Sequence, residues 1–231
     1  MYTVEVIIPT ARLAFWVEDG VTNILPEHDP PACFRQYEEL KQRHDVVGMT
    51  TFPNTILLRG PKTVLVDPGI ELGNSPQLGA LACRGLSPDD LDMIVLTHAH
   101  SDHCRALVDF PNGVTFHDAE RRDPGFREVA SLLEEHKIDL LYGEEGQLAE
   151  GIDWVRTPGH TDGSIALKVQ TGDGLVVLCG DTIGPLPEDF AEMRAPSPPP
   201  SGDQLLKAWE LIRSWHPALV VPGHMQPFSL E

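Results

Sequence analysis

A chain of 231 residues is long enough to bury a sizeable core, so we expect one domain over residues 1–231. It carries 35 Asp and Glu against 17 Lys and Arg, and the formal net charge of −18 disfavours nucleic acid and anionic membranes as partners. The apolar runs are too short to cross a bilayer, and the 4 scattered cysteines do not indicate disulfides. A reducing cytoplasm is the expected location, and the composition leaves the oligomeric state open.

The first fifty residues predict two strands followed by a looser segment. Apolar runs over Val4–Ile8 and Leu13–Val17 favour short strands. The start of the chain has no basic residues before its apolar stretch, which is typical of a strand and not of an export signal. Prolines interrupt Glu18–Pro53, where helical spacing predicts a charged helix over Cys33–His44. This segment is either a surface excursion or the border of a functional site.

A hairpin is predicted next, over Thr55–Arg59 and Thr63–Asp67, with a Gly-Pro-Lys turn between the two strands. The second strand is apolar and ends in a carboxylate, Asp67. An acid at a strand end is often a cap or a turn residue. It can instead orient a metal-binding histidine through a hydrogen bond.

Helices and one strand are predicted in the middle of the chain. Ser75–Arg84 suits a short helix, and Ser87–Asp90 has the residues of a helix N-terminus, with proline at the first helical position. A helix is expected over Cys104–Phe110 and a short strand over Val114–Phe116. The apolar spacing of Gly125–Lys137 predicts an amphipathic helix.

The most informative stretch follows the apolar run Met93–Leu96, which predicts a buried strand. Ligand-type side chains stand close together there, at His98, His100, Asp102 and His103. Because side chains alternate along an extended backbone, the first two histidines lie on one side, and a turn can bring the other two residues towards them. A single histidine would more often be a cap or a surface residue. The cluster favours a divalent metal, because imidazole and carboxylate are its usual ligands.

The second half of the chain repeats one arrangement. The predicted strands Asp153–Thr157 and Ala218–Val221 are each followed by Pro-Gly-His, which ends in His160 and in His224. Proline stops the strand, glycine permits a tight turn, and histidine is exposed at the strand end. Between these two motifs, an apolar strand over Leu175–Gly180 leads to Asp181.

Residues 182–201 are rich in proline, so we expect neither helix nor sheet there. The segment begins directly after Asp181 and should therefore flank a functional site. Gly202–Trp215 then predicts a helix with one apolar face, formed by Leu205, Leu206, Trp209, Ile212 and Trp215.

The polar residues at these strand ends occur in an order that resembles the five motifs of the metallo-β-lactamase-fold hydrolases. These residues are Asp67, His98, His100, Asp102, His103, His160, Asp181 and His224. The resemblance covers most of the chain, from Thr55 to the last residues. It implies an α/β fold with an αββα sandwich, in which two mixed sheets pack face to face, helices lie outside, and the site lies along one edge.

The resemblance also implies which residues hold metal. A first metal would be held by His98, His100 and His160, and a second by Asp102, His103 and His224. Asp181 would bridge the two metals, and Asp67 would support a ligand from behind. The implied cofactors are two divalent metal ions, with zinc favoured over manganese or iron.

The implied chemistry is hydrolysis of a small-molecule ester, lactone, thioester or amide. A hydroxide between the two metals would attack the carbonyl, because metal-bound water has its pKa lowered to about 7. Asp102, besides being a ligand, would orient the hydroxide and accept its proton.

Other functions stay open. They are a mononuclear iron enzyme of the persulfide dioxygenase type, a thioesterase similar to glyoxalase II, a nuclease of the same fold, and a binding protein without activity. The net charge of −18 disfavours the nuclease. A binding protein on this scaffold would be expected to have lost metal ligands, whereas every ligand position is filled here.

Overall fold

The computed structural model describes residues 1–19, 21–27, 30–44, 47–198 and 201–230. Its strands are β1 (Thr3–Ile8), β2 (Ala11–Glu18), β3 (Val21–Glu27), β4 (Val47–Phe52), β5 (Thr55–Arg59), β6 (Thr63–Val66), β7 (Met93–Val95), β8 (Val114–His117), β9 (Ile138–Leu141), β10 (Glu145–Ala149), β11 (Ile152–Arg156), β12 (Ile165–Thr171), β13 (Gly174–Gly180) and β14 (Leu219–Pro222). Its helices are α1 (Pro30–Lys41), α2 (Pro76–Ala82), α3 (Ser101–Cys104), α4 (Ala130–Glu134), α5 (Pro187–Ala191) and α6 (Ser201–Ser214). Single turns of 3-10 helix occupy Pro88–Asp90, Arg105–Asp109, Asp118–Arg122 and Pro124–Glu128.

Two mixed β-sheets form the centre of the molecule. The first has 6 strands in the order β1-β5-β6-β7-β8-β9, antiparallel from β1 to β6 and parallel from β6 to β9. The second has 5 strands in the order β10-β11-β12-β13-β14, of which only β13 and β14 pair in parallel. Parallel strands end at the same edge of a sheet, so polar residues that follow them are brought together there.

The two sheets share one apolar core. Ile56 and Leu58 of β5 pack in the same buried cluster as Leu167 of β12 and Leu178 of β13. Leu57, between the first two, belongs to a different cluster on the opposite face of its sheet. Both faces of β5 are therefore covered, which explains why its sequence is a continuous apolar run and not an alternating one.

Helices cover the outer face of each sheet. Leu81 of α2 and Leu133 of α4 pack on the outside of the first sheet, together with the 3-10 turn that contains Leu107. Trp209 and Ile212 of α6 are fully buried against the outside of the second sheet. The predicted αββα sandwich is thereby confirmed, with the helical layers on the two outer surfaces.

The segment before the hairpin differs from its prediction. Two strands that were not predicted, β3 and β4, flank β2 in a third sheet of 3 strands, and the helix lies at Pro30–Lys41 instead of Cys33–His44. The prolines of this segment argued against strands. However, β3 is an edge strand, and an edge strand accommodates proline because one side of its backbone needs no hydrogen bonds.

Three other segments also depart from their predictions. The amphipathic helix expected over Gly125–Lys137 is divided into a 3-10 turn and the short helix α4, and the helix expected over Cys104–Phe110 is mostly a 3-10 turn. The proline-rich segment 182–201 contains α5, whose first residue is Pro187; proline is favoured at this position because its missing N–H would have no partner there. Strands β9, β10 and β12 were not predicted. No helix in the described part of the chain is long and apolar enough to span a membrane.

Candidate metal centre

The strand ends bring the predicted site residues to one edge of the sandwich. Asp67 directly follows β6, and the stretch containing His98 follows β7 of the same sheet. His160, Asp181 and His224 follow β11, β13 and β14 of the second sheet. The site therefore lies where the ends of both sheets meet, and neither sheet could form it alone.

The first cluster contains three histidines. One potential ligand atom from each of His98, His100 and His160 lies within 4.8 Å of the other two. His160 Nε2 is 3.0 Å from His100 Nδ1, so these two rings present nitrogens to a common point. The Nε2 atom of His98 is buried and has no hydrogen-bond partner among the described residues. A buried nitrogen of this kind is unfavourable unless something else binds it.

The second cluster contains Asp102, His103 and His224, whose potential ligand atoms also lie within 4.8 Å of one another. His224 Nε2 is 3.1 Å from Asp102 Oδ2 and 3.3 Å from His103 Nε2. The Asp102 carboxylate also accepts a hydrogen bond of 3.1 Å from the hydroxyl of Thr51, on β4. The third sheet therefore contacts the second cluster directly, through Asp102.

Asp181 lies between the two clusters. Its Oδ1 is 3.3 Å from His103 Nε2, and its Oδ2 is 3.4 Å from His224 Nε2 and 3.6 Å from His160 Nε2. One carboxylate therefore contacts histidines of both groups. This arrangement could hold two cations close together, because each carboxylate oxygen has lone pairs for a separate ion.

Asp67 holds the histidine loop in place. Its Oδ2 is 3.0 Å from His103 Nδ1, and its two oxygens accept hydrogen bonds from the backbone N–H and the hydroxyl of Thr97, at 2.8 and 2.7 Å. A carboxylate can only accept here, so Nδ1 of His103 carries a proton and Nε2 faces Asp181 and His224. Such a contact behind a ligand fixes its ring orientation.

Two further acidic residues support the first cluster, and neither was predicted from the sequence. Asp123 Oδ1 is 3.3 Å from His100 Nε2. Glu120 is fully buried; it accepts a hydrogen bond of 2.7 Å from the backbone N–H of Ala99 and another from the hydroxyl of Thr161. Glu120 therefore joins the two loops that carry the three histidines. Both acids lie at the 3-10 turn after β8, in a stretch with no recognisable motif.

The ionisation states at the centre follow from burial and from the neighbouring charges. Burial, and the charge of nearby histidines, hold the pKa of His98 well below its usual value, so this ring is neutral. Burial opposes ionisation of Asp102, but the hydrogen bond to His224 and the charge of His103 lower its pKa to about 2. Burial likewise opposes ionisation of Asp181, but His224 and His103 keep its pKa well below the usual range.

His103 behaves in the opposite way. Burial favours its neutral form, yet the carboxylates of Asp181 and Asp67 outweigh burial and raise its pKa well above the usual value. A proton on the His103 ring neutralises the adjacent carboxylates, as a bound metal cation would. The donor set of neutral imidazole, carboxylate and the partnerless His98 Nε2 fits a pair of divalent metal ions.

The glycine of the second Pro-Gly-His motif is required by close packing. A Cβ atom at Gly223 would overlap Oδ1 of Asp181 and approach the ring of His103. The glycine of the first motif, Gly159, has a φ of 138°, a conformation that other residues rarely adopt. The tight turn predicted from the sequence thus explains Gly159, whereas Gly223 is needed for the approach of two strand ends.

A cavity of about 580 Å³ opens beside the clusters. It is lined by three of the predicted site residues, His160, Asp181 and His224, and by Arg12 of β2 and Phe34 of α1. The remaining described residues that line it come from the proline-rich segment, α6 and the turn at Gly159, and they are Gly159, Gly184, Pro185, Pro196, Ser197, Pro198, Ser201 and Leu205. The segment 182–201, which we expected to flank a site, contributes to this cavity. Phe34 of Glu18–Pro53 contributes too, which favours the interpretation of that segment as the border of a site.

Cys104, which follows the cluster, is not a nucleophile. It is buried, its thiol donates to the carbonyl oxygen of His100, and burial raises the pKa of that thiol. A thiol must ionise to attack a carbonyl, so this cysteine serves packing. Among the other histidines, His117 caps the turn after β8, where its side chain accepts a hydrogen bond from the backbone N–H of Ala119.

A comparison with protein-family models identifies the fold family. Residues 50–224 match the model described as the metallo-β-lactamase superfamily. The chain belongs to the metallo-β-lactamase superfamily. The family suggested by the sequence motifs is thereby confirmed, and the matched residues include both clusters and Asp181.

Relatives and solved structures agree with this assignment. The chain is 33% identical over 175 residues to the human metallo-β-lactamase domain-containing protein 1, covering 74% of this chain and 60% of that protein. It is 30% identical over 184 residues to the protein of the same name from Xenopus laevis, covering 75% and 71%. A solved N-acyl homoserine lactone hydrolase, with a hydrolysis product bound at its catalytic metal centre, has 16% identity, a TM-score of 0.67 and coverage of 96% and 92%. The last comparison supports the fold alone.

Proposed function

We propose that this chain is a metal-dependent hydrolase that holds two divalent cations and cleaves an ester, lactone, thioester or amide bond of a small molecule. Zinc is the preferred metal because three histidines and a shared carboxylate suit it, with manganese and iron as alternatives. The observation that carries the proposal is Asp181, whose oxygens lie near His103, His160 and His224. A carboxylate shared by two ligand groups can hold a pair of cations close together, because each of its oxygens has lone pairs for a separate ion.

In this proposal the ligands divide into two groups that share one residue. His98, His100 and His160 would hold the first cation, and Asp102, His103 and His224 would hold the second. Asp181 would be shared by the two groups, and Asp67 fixes the ring of His103. Once bound, the cations lower the pKa of a water molecule to about 7 and polarise the carbonyl of the substrate.

The protein's own part in the reaction is orientation. Asp102 is ionised at neutral pH because of His224 and His103, and Thr51 and His224 fix its carboxylate through hydrogen bonds. It can therefore accept a hydrogen bond, and then the proton, from the attacking water. Glu120 and Asp123 keep His100 and His160 aligned, so that little reorganisation is needed during the reaction.

Lactones are the first substrates to test. The fold neighbour described above is a lactone hydrolase, and its product lies at its catalytic metals. The cavity of about 580 Å³ could admit a molecule of that size. A nuclease is less well supported, because a net charge of −18 repels a phosphate backbone.

We also propose that residues 1–231 form one domain. The side chain of Asn54 accepts a hydrogen bond from Thr10 N and donates two, to the carbonyl oxygens of Pro222 and Met225. It therefore links the connection between β1 and β2 to the loop that carries His224. Hydrogen bonds between such distant parts of the chain are expected within one folding unit.

The test is a metal count combined with a substrate screen. Elemental analysis of protein purified from zinc-supplemented cells should give two zinc ions per chain. Zinc-loaded, manganese-loaded and iron-loaded protein is then assayed with lactones, thioesters, β-lactams and phosphodiesters. One tightly bound iron, or no metal at all, would contradict the proposal.

Two variants test the residue roles. Asp102→Ala should abolish turnover and keep the fold, whereas Asp139→Ala, at an exposed position far from the clusters, controls for the loss of a carboxylate. His160→Ala should lower the metal content. Normal turnover by the first variant, or full occupancy in the second, would refute the corresponding assignment.

A further inference from the structure

Two cavities meet at His160. The larger one, of about 580 Å³, and a smaller one, of about 230 Å³, are both lined by Gly159, His160 and Ser201. Because His160 belongs to the first cluster, a molecule bound over its ring can extend into both cavities. A hydrolase divides its substrate into an acyl part and a leaving group, so two adjoining cavities provide a place for each part.

The two cavities differ in their chemistry. The larger one is lined by apolar side chains that include Phe34, Pro196 and Leu205. Most of the side chains that line the smaller one are polar, and they include Arg122, Asp123, Thr161, Asp162, Ser201 and Gln204. The larger cavity therefore suits an acyl chain, and the smaller one suits a compact polar leaving group.

Two opposite charges in the smaller cavity have no partner in the described part of the chain. The guanidinium group of Arg122 makes no hydrogen bond or ion pair with a described residue, and neither does the carboxylate of Asp162. The carbonyl oxygen of Asp162 accepts a hydrogen bond of 2.8 Å from Arg156 Nε, which holds the backbone of this residue in place. Arg122 and Asp162 thus line one small cavity without pairing with each other. A ligand with a negative and a positive group could bridge them.

The third charged residue of the smaller cavity is already engaged. Asp123 Oδ1 is 3.3 Å from His100 Nε2 and accepts a hydrogen bond of 2.8 Å from the backbone N–H of Gly125. Its charge therefore supports a proposed metal ligand. In a chain with 35 acidic and 17 basic residues, an arginine without an acidic partner is unexpected. This favours a role of Arg122 in binding a ligand.

We propose that the smaller cavity binds the leaving group of the substrate, and that this leaving group carries a free α-amino acid group. Arg122 binds its carboxylate and Asp162 binds its ammonium group, while the acyl part lies in the larger cavity. The planar guanidinium group suits this task, because it pairs with both oxygens of a carboxylate.

This inference rests on the proposed hydrolase function and names its substrate class: O-acyl esters and S-acyl thioesters of hydroxy or thiol amino acids. In the reaction, the oxygen of water adds to the acyl carbon, and the bond from that carbon to the leaving oxygen or sulfur breaks. The leaving atom takes up a proton. The products are a carboxylic acid and the free amino acid.

Direct binding tests the subsite without any turnover. Calorimetry on zinc-loaded protein compares four small molecules that differ in their charged groups. L-serine has both groups, ethanolamine has the ammonium group, 3-hydroxypropanoate has the carboxylate, and ethanol has neither. L-serine should bind about 5-fold to 20-fold more tightly than either singly charged molecule, a range between an exposed ion pair and a charge-assisted hydrogen bond.

Each variant should remove one preference only. Arg122→Gln should make L-serine and ethanolamine bind equally, and Asp162→Asn should make L-serine and 3-hydroxypropanoate bind equally. Arg122→Lys should retain part of the preference for a carboxylate. If L-serine binds by chelating the metals through its nitrogen and oxygen, neither variant will change its affinity, and that result would overturn the subsite.

The matched controls are Arg121→Gln and Asp139→Asn. Arg121 is exposed and adjacent to Arg122 in sequence, but it is not among the described residues that line the smaller cavity. Asp139 is exposed and pairs with Lys137. These substitutions change the net charge by the same amounts and should keep both preferences. Equal losses in the controls would show an effect of net charge alone and would contradict the proposal.

Four butanoyl esters separate failure of the subsite from failure of the hydrolase. Their leaving groups are the four molecules used for binding, each attached through its hydroxyl group, and a mildly acidic pH keeps acyl transfer to the amino group slow. The L-serine ester should have the highest kcat/KM, mainly through KM, and either variant should lower it about 5-fold to 20-fold. If all four esters are cleaved equally, the subsite is wrong and the hydrolase stands. If none is cleaved while the binding preferences depend on Arg122 and Asp162, the subsite stands and the hydrolase is wrong.

A purely structural role of the two residues makes a different prediction. Arg122 and Asp162 are both exposed, so their substitution should change the melting temperature little. A lower melting temperature together with unchanged binding preferences would overturn the proposal.

Discussion

At the scale of single residues, the candidate metal centre depends on side chains outside the proposed ligand set. Asp67 fixes His103, Asp123 contacts His100, and Glu120 joins the loops around Ala99 and Thr161. Such contacts set the ring orientation and the protonation of each ligand. Substitutions behind the ligands should therefore weaken metal binding without removing any ligand.

Asp67→Asn is the cleanest variant of this kind. Asp67 has a φ of 48°, and asparagine tolerates this left-handed conformation, so the change removes charge with little backbone strain. We expect the zinc affinity to fall about 10-fold to 100-fold, because His103 loses its anionic partner. Competition with a chromogenic chelator measures this. Unaltered zinc affinity would show that the contact between Asp67 and His103 does not contribute to metal binding.

Glu120 allows a graded test. Glu120→Ala leaves the N–H of Ala99 buried without its acceptor, which should cost about 2 kcal/mol of unfolding free energy and lower the metal content. Glu120→Gln should be milder, because its amide oxygen can still accept from Ala99 and the hydroxyl of Thr161 can rotate to accept from the amide NH₂. Urea denaturation and elemental analysis check both effects. Equal behaviour of the two variants would contradict this account.

At the scale of elements, the helix α6 holds the segment after Asp181 in place. Trp209 is fully buried, packs edge-on against Phe190, and donates from its indole nitrogen to the carbonyl oxygen of Thr182. The helix is thereby attached to the residue next to the shared carboxylate. Packing on the outside of the second sheet thus has a direct connection to the site.

Trp209→Phe tests that connection. The variant keeps an aromatic ring but leaves the buried carbonyl of Thr182 without its donor, so unfolding free energy should fall by about 1–3 kcal/mol. Leu211→Ala, at an exposed position of the same helix, should change it by less than about 0.5 kcal/mol. Urea unfolding measures both. Comparable losses in the two variants would argue against a special role of the indole.

The elements also show what sequence alone could predict. The strands that end in Asp67, His98, Asp181 and His224 were predictable, because each combines a short apolar run with a chemically distinctive residue. By contrast, β4 pairs with β2 across the intervening helix α1, and a pairing between distant segments leaves no local pattern. β3 follows β2 directly in a hairpin, but its proline argued against a strand. A proline-rich stretch was wrongly taken to exclude helix, since α5 begins with its proline.

Within the site, ligand-type residues were easier to predict than supporting ones. Histidines and aspartates at strand ends are informative because few other roles require them there in such number. Glu120 and Asp123 are ordinary charged residues by sequence. Their importance comes from burial and from long-range contacts, such as the link between Glu120 and Thr161. These contacts exist only after the two sheets have packed together.

At the scale of the whole molecule, the clusters join two sheets that are otherwise held by an apolar core. His98, His100 and His103 follow a strand of the first sheet, whereas His160, Asp181 and His224 follow strands of the second. Any cation bound between them connects the two halves of the sandwich. Metal binding should therefore stabilise the entire fold and not only the loops.

Metal removal tests this coupling. A ligand that binds only the folded state adds about 2.7 kcal/mol of stability when its free concentration is 100 times its Kd. For a chain of this size that corresponds to a rise of about 5–10 °C in melting temperature. Scanning calorimetry of chelator-treated protein, with zinc added stepwise, should show this rise. A melting temperature that does not depend on zinc would contradict a fold-spanning metal centre.

Most of the third sheet, and all of α1, precede the part of the chain that matches the family model. The family match begins at residue 50, so Arg12 and Phe34 precede it, while every proposed metal ligand lies within it. Part of the cavity wall is consequently encoded before the stretch that carries the proposed metal ligands, while the rest of the wall lies within it. Exchanging the first stretch between superfamily members should therefore reshape one part of the cavity and leave the proposed ligand set intact, a modular route by which selection can vary the cavity.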